Sequence, residues 1–179
     1  MKIIFSILAF ACALTLHAQR YSPVDEQSSI KFSIKNFGIA TSGTFKGLTG
    51  EIYFDANNLS ASFFKANVNA ASINTGISAR DNHLKKEEYF DAANYPLISF
   101  SSLQITATAN AGNYLLKGTV NIKGVSKEIS FLFTATPIND GIKFTGLCKL
   151  NRRDFNVGGK SFVLSDDVTV TLSVFAKKS

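Results

Sequence analysis

Strict alternation of apolar and polar residues dominates the chain after residue 28 and constrains the fold more than any other feature. In the run 30–35, for example, Ile30, Phe32 and Ile34 are each followed by a polar residue. The same pattern recurs in the runs 64–70, 129–135, 142–150 and 168–174. Successive side chains of a strand point to opposite faces, so the pattern predicts strands with one buried face and one wet face. Strands of this kind usually pair antiparallel.

Turn signals between the alternating runs divide the chain into eight predicted strands. The clearest is Asp140-Gly141, which lies between two apolar alternations and indicates a hairpin. The predicted strands lie near residues 29–37, 42–54, 60–70, 97–107, 114–122, 128–136, 142–150 and 166–176. Residues 80–90 are rich in helix formers and predict one short amphipathic helix between the third and fourth strands. No linker or repeat divides the chain, so residues 19–179 are predicted to form one domain.

The first eighteen residues predict export. Lys2 precedes an almost wholly apolar run, residues 3–16, and the segment ends at Ala18. That run is shorter than the ~20 residues a membrane-spanning helix needs, so a signal peptide, residues 1–18, is the favoured interpretation. We therefore expect a periplasmic or secreted protein, and the loss of Lys2 lowers its net charge from +6 to +5. Cys148 is then the single cysteine, and its apolar alternating run is typical of a buried small hydrophobe.

Eight antiparallel strands of this length can close into a barrel, which removes exposed sheet edges. The interior of such a barrel is either filled by side chains or holds one small ligand. Phenylalanines on the apolar face, beside small residues such as Ala66, Gly118 and Gly146, would leave a slot for a ligand. The pattern by itself nevertheless favours a solid core or a two-sheet sandwich over a ligand cavity.

The polar residues exclude several classes of site. Lysines and arginines are scattered without a dense patch, which argues against a nucleic-acid partner. His83 is the one histidine after residue 18, and neither a Cys-x-x-Cys spacing nor a phosphate-cradling glycine loop occurs, so no metal or other cofactor is expected. The polar cluster of most interest is Arg80, Asp81 and His83. Asp81 is expected to cap the predicted helix, whereas Arg80 and His83 are candidates for binding an anionic head group at the barrel mouth.

Several motifs follow one another along almost all of the chain after residue 18. The most specific are Arg80-Asp81-x-His83-Leu84, Tyr89-Phe90-Asp91, Tyr95-Pro96 and Ile98-x-Phe100-x-Ser102. Others are Ser42-Gly43-x-Phe45, Ser72-Ile73-x-Thr75, Gly118-x-Val120-x-Ile122-x-Gly124 and Arg153-Asp154-Phe155. Together they resemble the YceI-like family of lipid- and polyisoprenoid-binding proteins. The resemblance implies an all-β, eight-stranded antiparallel lipocalin-like barrel with a short helix against it. It also implies a long apolar pore that takes an isoprenoid, such as a polyprenyl phosphate or a quinone tail.

Fifteen residues are candidate ligand-binding residues on this interpretation. The apolar candidates are Phe32, Phe45, Phe54, Phe64, Val68, Phe100, Val120, Ile122, Phe131, Phe133, Phe144 and Val170, and the polar ones are Arg80, Asp81 and His83. The favoured function is a carrier or store for an isoprenoid or other long-chain lipid, not an enzyme. One alternative is an enzyme acting on such a lipid with His83 as acid or base, and another is an envelope stress or adhesion module with a packed barrel. Transient membrane-surface contact and a homodimer are further options.

Overall fold

The computed structural model describes residues 19–179, and the predicted signal peptide lies outside the described residues. The elements of the described chain are nine strands and one α-helix: β1 Arg20–Pro23, β2 Ser29–Asn36, β3 Ile39–Tyr53, β4 Phe63–Asn74, α1 Ser78–Leu84, β5 Leu97–Ala107, β6 Asn113–Ile122, β7 Val125–Ile138, β8 Gly141–Asn151 and β9 Leu164–Lys178. Single 3₁₀ turns lie at Asp25–Gln27, Leu59–Ala61 and Arg152–Phe155.

Strands β2 to β9 close an eight-stranded antiparallel barrel, which confirms the predicted fold. Each strand pairs with the next along the chain, and β9 pairs back with β2, where Phe32 lies opposite Val170. The alternating apolar residues of all eight strands therefore face one shared interior. Closure gives every barrel strand a neighbour on both sides, although β7 and β8 pair with each other only through residues 133–138 and 141–146.

Strand β1 is a ninth segment that the sequence analysis did not predict. Its Tyr21 pairs with Ile52 of β3 on one side and with Lys178 of β9 on the other. β1 and β2 thus occupy one position in the barrel, interrupted by the 3₁₀ turn. The Asp25 carboxylate stabilises this interruption by accepting hydrogen bonds from the backbone N–H groups of Gly47 and Leu48, at 3.0 and 2.9 Å. Four residues are too few to display a clear alternation, which is why the sequence pattern did not reveal β1.

Helix α1 is shorter than the predicted 80–90. After Leu84 the chain turns, and the N–H of Phe90 donates to the carbonyl of Leu84 at 3.1 Å. The turn brings the Phe90 ring onto Phe45 of β3, with 5.4 Å between ring centroids. Packing of that ring inside the barrel, not helix propensity, therefore decides where the helix ends. Among residues 19–179, no helix is long and apolar enough to cross a bilayer.

The barrel has two different ends. One end, which we call the base, carries β1, the chain terminus at Ser179 and the connections 54–62, 108–112 and 139–140. The opposite end, the mouth, carries the connections 37–38, 75–96, 123–124 and 152–163. The longest connections and the helix are thus at the mouth.

Aromatic side chains fill the base. Phe54 is 5% exposed and lies at the centre of a cluster that we call the aromatic plug, made of Phe54, Phe64, Tyr114, Phe133 and Phe144. Its ring meets those of Tyr114 and Phe144 edge to face, at centroid distances of 5.2 and 5.5 Å. Edge-to-face contacts are a favourable arrangement for aromatic rings. The plug closes the base of the barrel.

Candidate functional site

A cavity of about 780 Å³ occupies the barrel between the aromatic plug and the mouth. Small-molecule sites in proteins typically have volumes of roughly 300–1,000 Å³. All eight barrel strands contribute inward side chains to its wall. The interior is therefore hollow above the plug, and the solid core favoured by the alternation pattern alone is not what the structure shows.

Thirteen of the fifteen predicted ligand-binding residues line this cavity. They are Phe32, Phe45, Phe64, Val68, Phe100, Val120, Ile122, Phe131, Phe133, Phe144, Val170, Arg80 and His83. The alternation was sufficient to find the apolar members, because in a barrel the inward face of every strand reaches the same space. The lining also includes Leu84, Phe90 and Phe155 at the mouth, which do not lie on barrel strands and were not predicted.

Phe54 and Asp81 are the two predicted residues that do not line the cavity. Phe54 directly follows β3, and its ring lies at the centre of the aromatic plug, so it closes the cavity from below. The Asp81 carboxylate instead accepts hydrogen bonds from the backbone N–H of Thr75, at 2.8 Å, and from the Thr75 hydroxyl. The residue at the N-cap of α1 is Ile77, so Asp81 does not cap the helix as expected.

Glycines on the neighbouring strand allow two of the wall phenylalanine rings to lie close to the sheet: Gly43 is directly opposite Phe32, and Gly118 is diagonal to Phe100. A Cβ atom at Gly43 would lie 2.4 Å from Cζ of Phe32, and one at Gly118 would lie 2.4 Å from Cζ of Phe100. Both distances are below van der Waals contact, so each ring occupies the space that a side chain on the neighbouring strand would fill. The rings consequently lie against the wall and leave the centre of the barrel open.

The Thr75–Arg80–Asp81 group fixes the start of α1 against the end of β4. Arg80 donates from Nε to the Thr75 hydroxyl at 2.7 Å and from Nη2 to the Thr75 carbonyl at 2.9 Å. The hydrogen bond from the Thr75 hydroxyl is the main reason why the pKa of Asp81 is lowered, with smaller contributions from the Thr75 N–H and from Arg80. Arg80 thus reaches the cavity with its guanidinium already oriented by protein contacts.

His83 has a looser environment than Arg80. Its side chain is half exposed, and Nε2 lies 3.8 Å from Oε2 of Glu88. The imidazole packs edge to face on Tyr89 with 5.0 Å between centroids. His83 can therefore contact a ligand at the mouth, but in the described part of the chain it has no closely bonded carboxylate that would orient it for proton transfer.

Arg152 is a functional candidate that sequence reasoning missed. It is 5% exposed and lines the cavity near the mouth. Its guanidinium donates to the carbonyls of Ser165, Val157 and Gly159 at 2.9–3.0 Å. Nη2 also lies 2.7 Å from Oδ1 of Asp166, a contact that is an ion pair rather than an aligned hydrogen bond. The available sequence signal was the motif Arg153-Asp154-Phe155, which directly follows Arg152 but does not include it.

The charges of the cavity wall are all of one sign. Arg80, Arg152 and Lys160 line it together with His83, whereas no aspartate or glutamate of residues 19–179 does. Burial raises the pKa of the Cys148 thiol to about 11, so that wall residue is neutral and behaves as a small hydrophobe. The cationic residues belong to the mouth connections, while the lining residues on the strands are uncharged and mostly apolar, with Asn67, Ser99 and Thr145 among the polar ones. Residues 19–179 contain no cluster of three or more His, Cys, Asp or Glu side chains that could hold a metal ion.

Comparison with solved structures shows the same barrel in other proteins. Burkholderia cenocepacia BcnA aligns with a TM-score of 0.81 at 23% identity, over 87% of this chain and 99% of that one. A polyisoprenoid binding domain from Saccharophagus degradans aligns with a TM-score of 0.71 at 18% identity, over 89% of this chain and 98% of that one. At these identities the likeness concerns the fold.

Sequence comparison extends the likeness to bacterial relatives. A UPF0312 protein of Yersinia enterocolitica is 28% identical over 158 residues, which cover 83% of this chain and 80% of the relative. Protein YceI of Salmonella agona is 26% identical over 181 aligned positions, which cover 95% and 92%. The profile of the YceI-like domain matches residues 21–176, which is nearly all of the described barrel. The chain therefore belongs to the YceI-like family.

Proposed function

We propose that this protein binds a long apolar chain with an anionic head group, of the polyisoprenoid class, and carries or stores it without chemical change. The observation that carries the proposal is the cavity: it is closed by aromatic rings at the base, its wall is mostly apolar, and the charged side chains of residues 19–179 that line its mouth are all cationic. The solved relative from Saccharophagus degradans, described as a polyisoprenoid binding domain, supports the ligand class.

The physical chemistry of the wall fits such a ligand. Transfer of an apolar chain from water into the barrel gains roughly 25 cal/mol per Å² of buried apolar surface, less the cost of ordering the chain. The head group stays at the mouth, where Arg80, Arg152 and Lys160 line the cavity; Asp166 pairs with Arg152, but no carboxylate of residues 19–179 lines the cavity itself. An arginine that protein contacts already hold in place binds a phosphate oxygen at little further entropic cost. This arrangement favours a polyprenyl phosphate over a neutral quinone.

The proposal includes export, since residues 1–18 have the features of a signal peptide. A periplasmic or secreted carrier would shield its ligand from water outside the cytoplasm. The proposal is binding without turnover, and it is supported by the surroundings of His83, which among residues 19–179 have no carboxylate closer than Oε2 of Glu88 at 3.8 Å.

Native mass spectrometry tests the proposal. The purified protein is measured as isolated, then after incubation with a polyprenyl phosphate, with the free alcohol of the same chain and with a quinone. We expect one bound molecule per chain and a preference for the phosphate. The preference should fall in Arg80→Gln and persist in Arg153→Gln, because Arg153 is exposed and does not line the cavity.

Each other outcome is informative. Equal binding of the polyprenyl phosphate and the free alcohol would support the carrier function but would show that the cationic residues at the mouth do not select the head group. Uptake of none of the three ligands by a folded protein would refute the proposed function, and the family membership would then concern the fold. Conversion of the bound lipid to a product would favour the enzyme alternative.

A further inference from the structure

Exposed apolar side chains flank the cavity mouth where the β2–β3 and β8–β9 connections meet. Phe162 is 100% exposed, Phe37 is 74% exposed, Ile39 is 72% exposed and Val163 is 40% exposed. We call these four residues the apolar rim. A soluble surface often carries single exposed apolar residues, but a group of them at the opening of an apolar cavity indicates an interaction site.

The apolar rim is one structural unit although it comes from two separate connections. Phe37 and Ile39 belong to the β2–β3 hairpin, whereas Phe162 and Val163 belong to the connection between β8 and β9. The N–H of Phe37 donates to the carbonyl of Val163 at 2.8 Å, which fastens the two connections to each other. Phe37 and Val163 also line the cavity, so the rim is continuous with its wall.

The backbone at the hairpin tip keeps an aromatic ring in the solvent. Phe37 has a φ of 51°, a conformation that glycine or asparagine adopts far more readily. The following Gly38 has a φ of 75° and completes the two-residue turn. Nothing in the packing of residues 19–179 covers the Phe37 ring, which is mostly exposed.

Basic side chains accompany the rim. Lys35 of β2 is exposed two residues before Phe37, and Lys160 is exposed two residues before Phe162. Among the ion pairs of residues 19–179, neither lysine has a partner. The nearby Asp166 carboxylate is already paired with Arg152. With Arg152 and the exposed carboxylates of Asp166 and Asp167 counted as well, the surroundings of the apolar rim carry a small net positive charge.

We propose that the apolar rim docks onto a lipid bilayer that contains anionic lipid and seats the cavity mouth on the membrane surface. The inference rests on the proposed function, since docking matters only if the barrel takes up an apolar chain. Docking would let that chain enter the barrel from the membrane without crossing water. Apolar tips with flanking lysines match the two contributions that hold proteins at a membrane surface, namely burial of apolar groups and attraction to anionic head groups. A second copy is a poorer occupant, because a symmetric contact would bring the same lysines together.

The outer barrel wall supplies a matched control. Leu132 of β7 and Leu147 of β8 are 58% and 52% exposed, so they are apolar and accessible like the rim. Neither lines the cavity. If exposed apolar surface alone were sufficient for membrane binding, these leucines would contribute as much as the rim does.

Vesicle sedimentation compares the two surfaces. The purified protein is mixed with phosphatidylcholine vesicles containing about 30% phosphatidylglycerol, a composition that gives a negative surface. The double variant Ile39→Ser, Phe162→Ser should lower the partition coefficient by about tenfold, while Leu132→Ser, Leu147→Ser should leave it unchanged. Added salt or pure phosphatidylcholine should weaken binding of the wild type. Intact mass must show the same N-terminus in all proteins, because residues 1–18 are themselves apolar.

Tryptophan fluorescence identifies which surface of the protein contacts the vesicles. The chain contains no tryptophan, so Phe162→Trp and Leu132→Trp each introduce a single reporter. We expect a blue shift of the Phe162→Trp emission on addition of the vesicles and no shift for Leu132→Trp. A concentration-dependent blue shift of Phe162→Trp without vesicles would identify a second copy as the occupant and overturn the proposal. Equal shifts at both positions would also overturn it, since the contact would then be non-specific.

Failure of membrane docking can be distinguished from failure of lipid binding. Ile39 and Phe162 do not line the cavity, so the double variant should still take up lipid from detergent micelles in native mass spectrometry. Normal loading from micelles with slow loading from vesicles supports the docking role. If the wild type loads lipid but does not bind vesicles, the docking proposal is wrong and the carrier function stands.

Discussion

The base and the mouth of the barrel are built from the same alternating strands, but their inward side chains meet different surroundings. At the base, Phe54 is enclosed by four other rings, and Phe64 and Phe144 lie 5.0 Å apart at their centroids. At the mouth, long connections and α1 separate the strands, and side chains there border open space. The same alternating pattern therefore produces a packed core at the base and a binding surface near the mouth. The position of a side chain along the barrel axis determines which of the two it forms.

Three phenylalanines show the gradient along the barrel axis. Phe54 is buried in the plug, Phe131 is partly exposed to the cavity and Phe162 is fully exposed at the rim. A fully packed ring contributes to the free energy of unfolding, whereas a ring beside a cavity forfeits contacts on one side. We therefore expect stability to depend most on the base and binding to depend most on the upper barrel.

Truncation in the plug should give the largest effect. Phe54→Ala is expected to lower the free energy of unfolding by about 3–5 kcal/mol, because the surrounding rings cannot collapse into the space. Phe131→Ala, beside space that is already empty, should cost about 1–2 kcal/mol. Urea denaturation measures both. Equal losses would mean that the plug is no better packed than the cavity wall.

A charge in the cavity should remove binding and leave the fold. Phe131→Asp is expected to weaken lipid binding by about a hundredfold, because a carboxylate on an apolar wall must be desolvated or neutralised when the chain enters. Leu132→Asp is the matched control: it is the next residue of β7, but it points outward and is 58% exposed. Native mass spectrometry and circular dichroism check binding and folding. Unchanged binding in a folded Phe131→Asp variant would show that the ligand does not pass this ring.

Some contacts at the mouth also stabilise the fold. Variants of two adjacent arginines, Arg152 and Arg153, measure how much these contacts contribute to the free energy of unfolding. Arg152→Met removes the donor to three carbonyls and should lower the free energy of unfolding by about 2 kcal/mol. Arg153→Met should change it by less than about 0.5 kcal/mol, since Arg153 is exposed and makes one long hydrogen bond to the Gly158 carbonyl. Thermal or urea unfolding distinguishes the two. If Arg152→Met leaves the free energy of unfolding unchanged, the Arg152 guanidinium is not needed for stability, and its role would be in head-group binding alone.

The smallest effect concerns Asp81, whose pKa is lowered chiefly by the hydrogen bond from the Thr75 hydroxyl. A carboxyl with a lower pKa in the folded state stabilises that state fully above its unfolded pKa, near 3.8, and loses the contribution as the pH falls through the folded pKa. Asp81→Asn should therefore be slightly less stable than the wild type at neutral pH, and the difference should shrink below about pH 4. A difference that stays constant in acid would point to packing instead of charge.

The sequence predicted most of the wall and less of the mouth. Val68, Val120 and Val170 could be assigned to the interior because alternation along a strand is a local property that closure of the barrel preserves. Arg152, Lys160 and Phe90 could not, because they lie on connections where no periodicity relates sequence to direction. β1 was missed for a similar reason: its four residues are recognisable only through their pairing with β3 and β9.

The sequence by itself determined the strands, their inward faces and the position of a helix between the third and fourth predicted strands, because these follow from periodicity and turn chemistry over a few residues. Only the tertiary structure decided that the barrel is hollow, that Phe54 closes it and that the cations meet at one end. Whether a ring fills the interior or lines it depends on the summed volumes of side chains from eight strands and on their register. Those quantities arise from long-range pairing, so no local stretch of the sequence contains them.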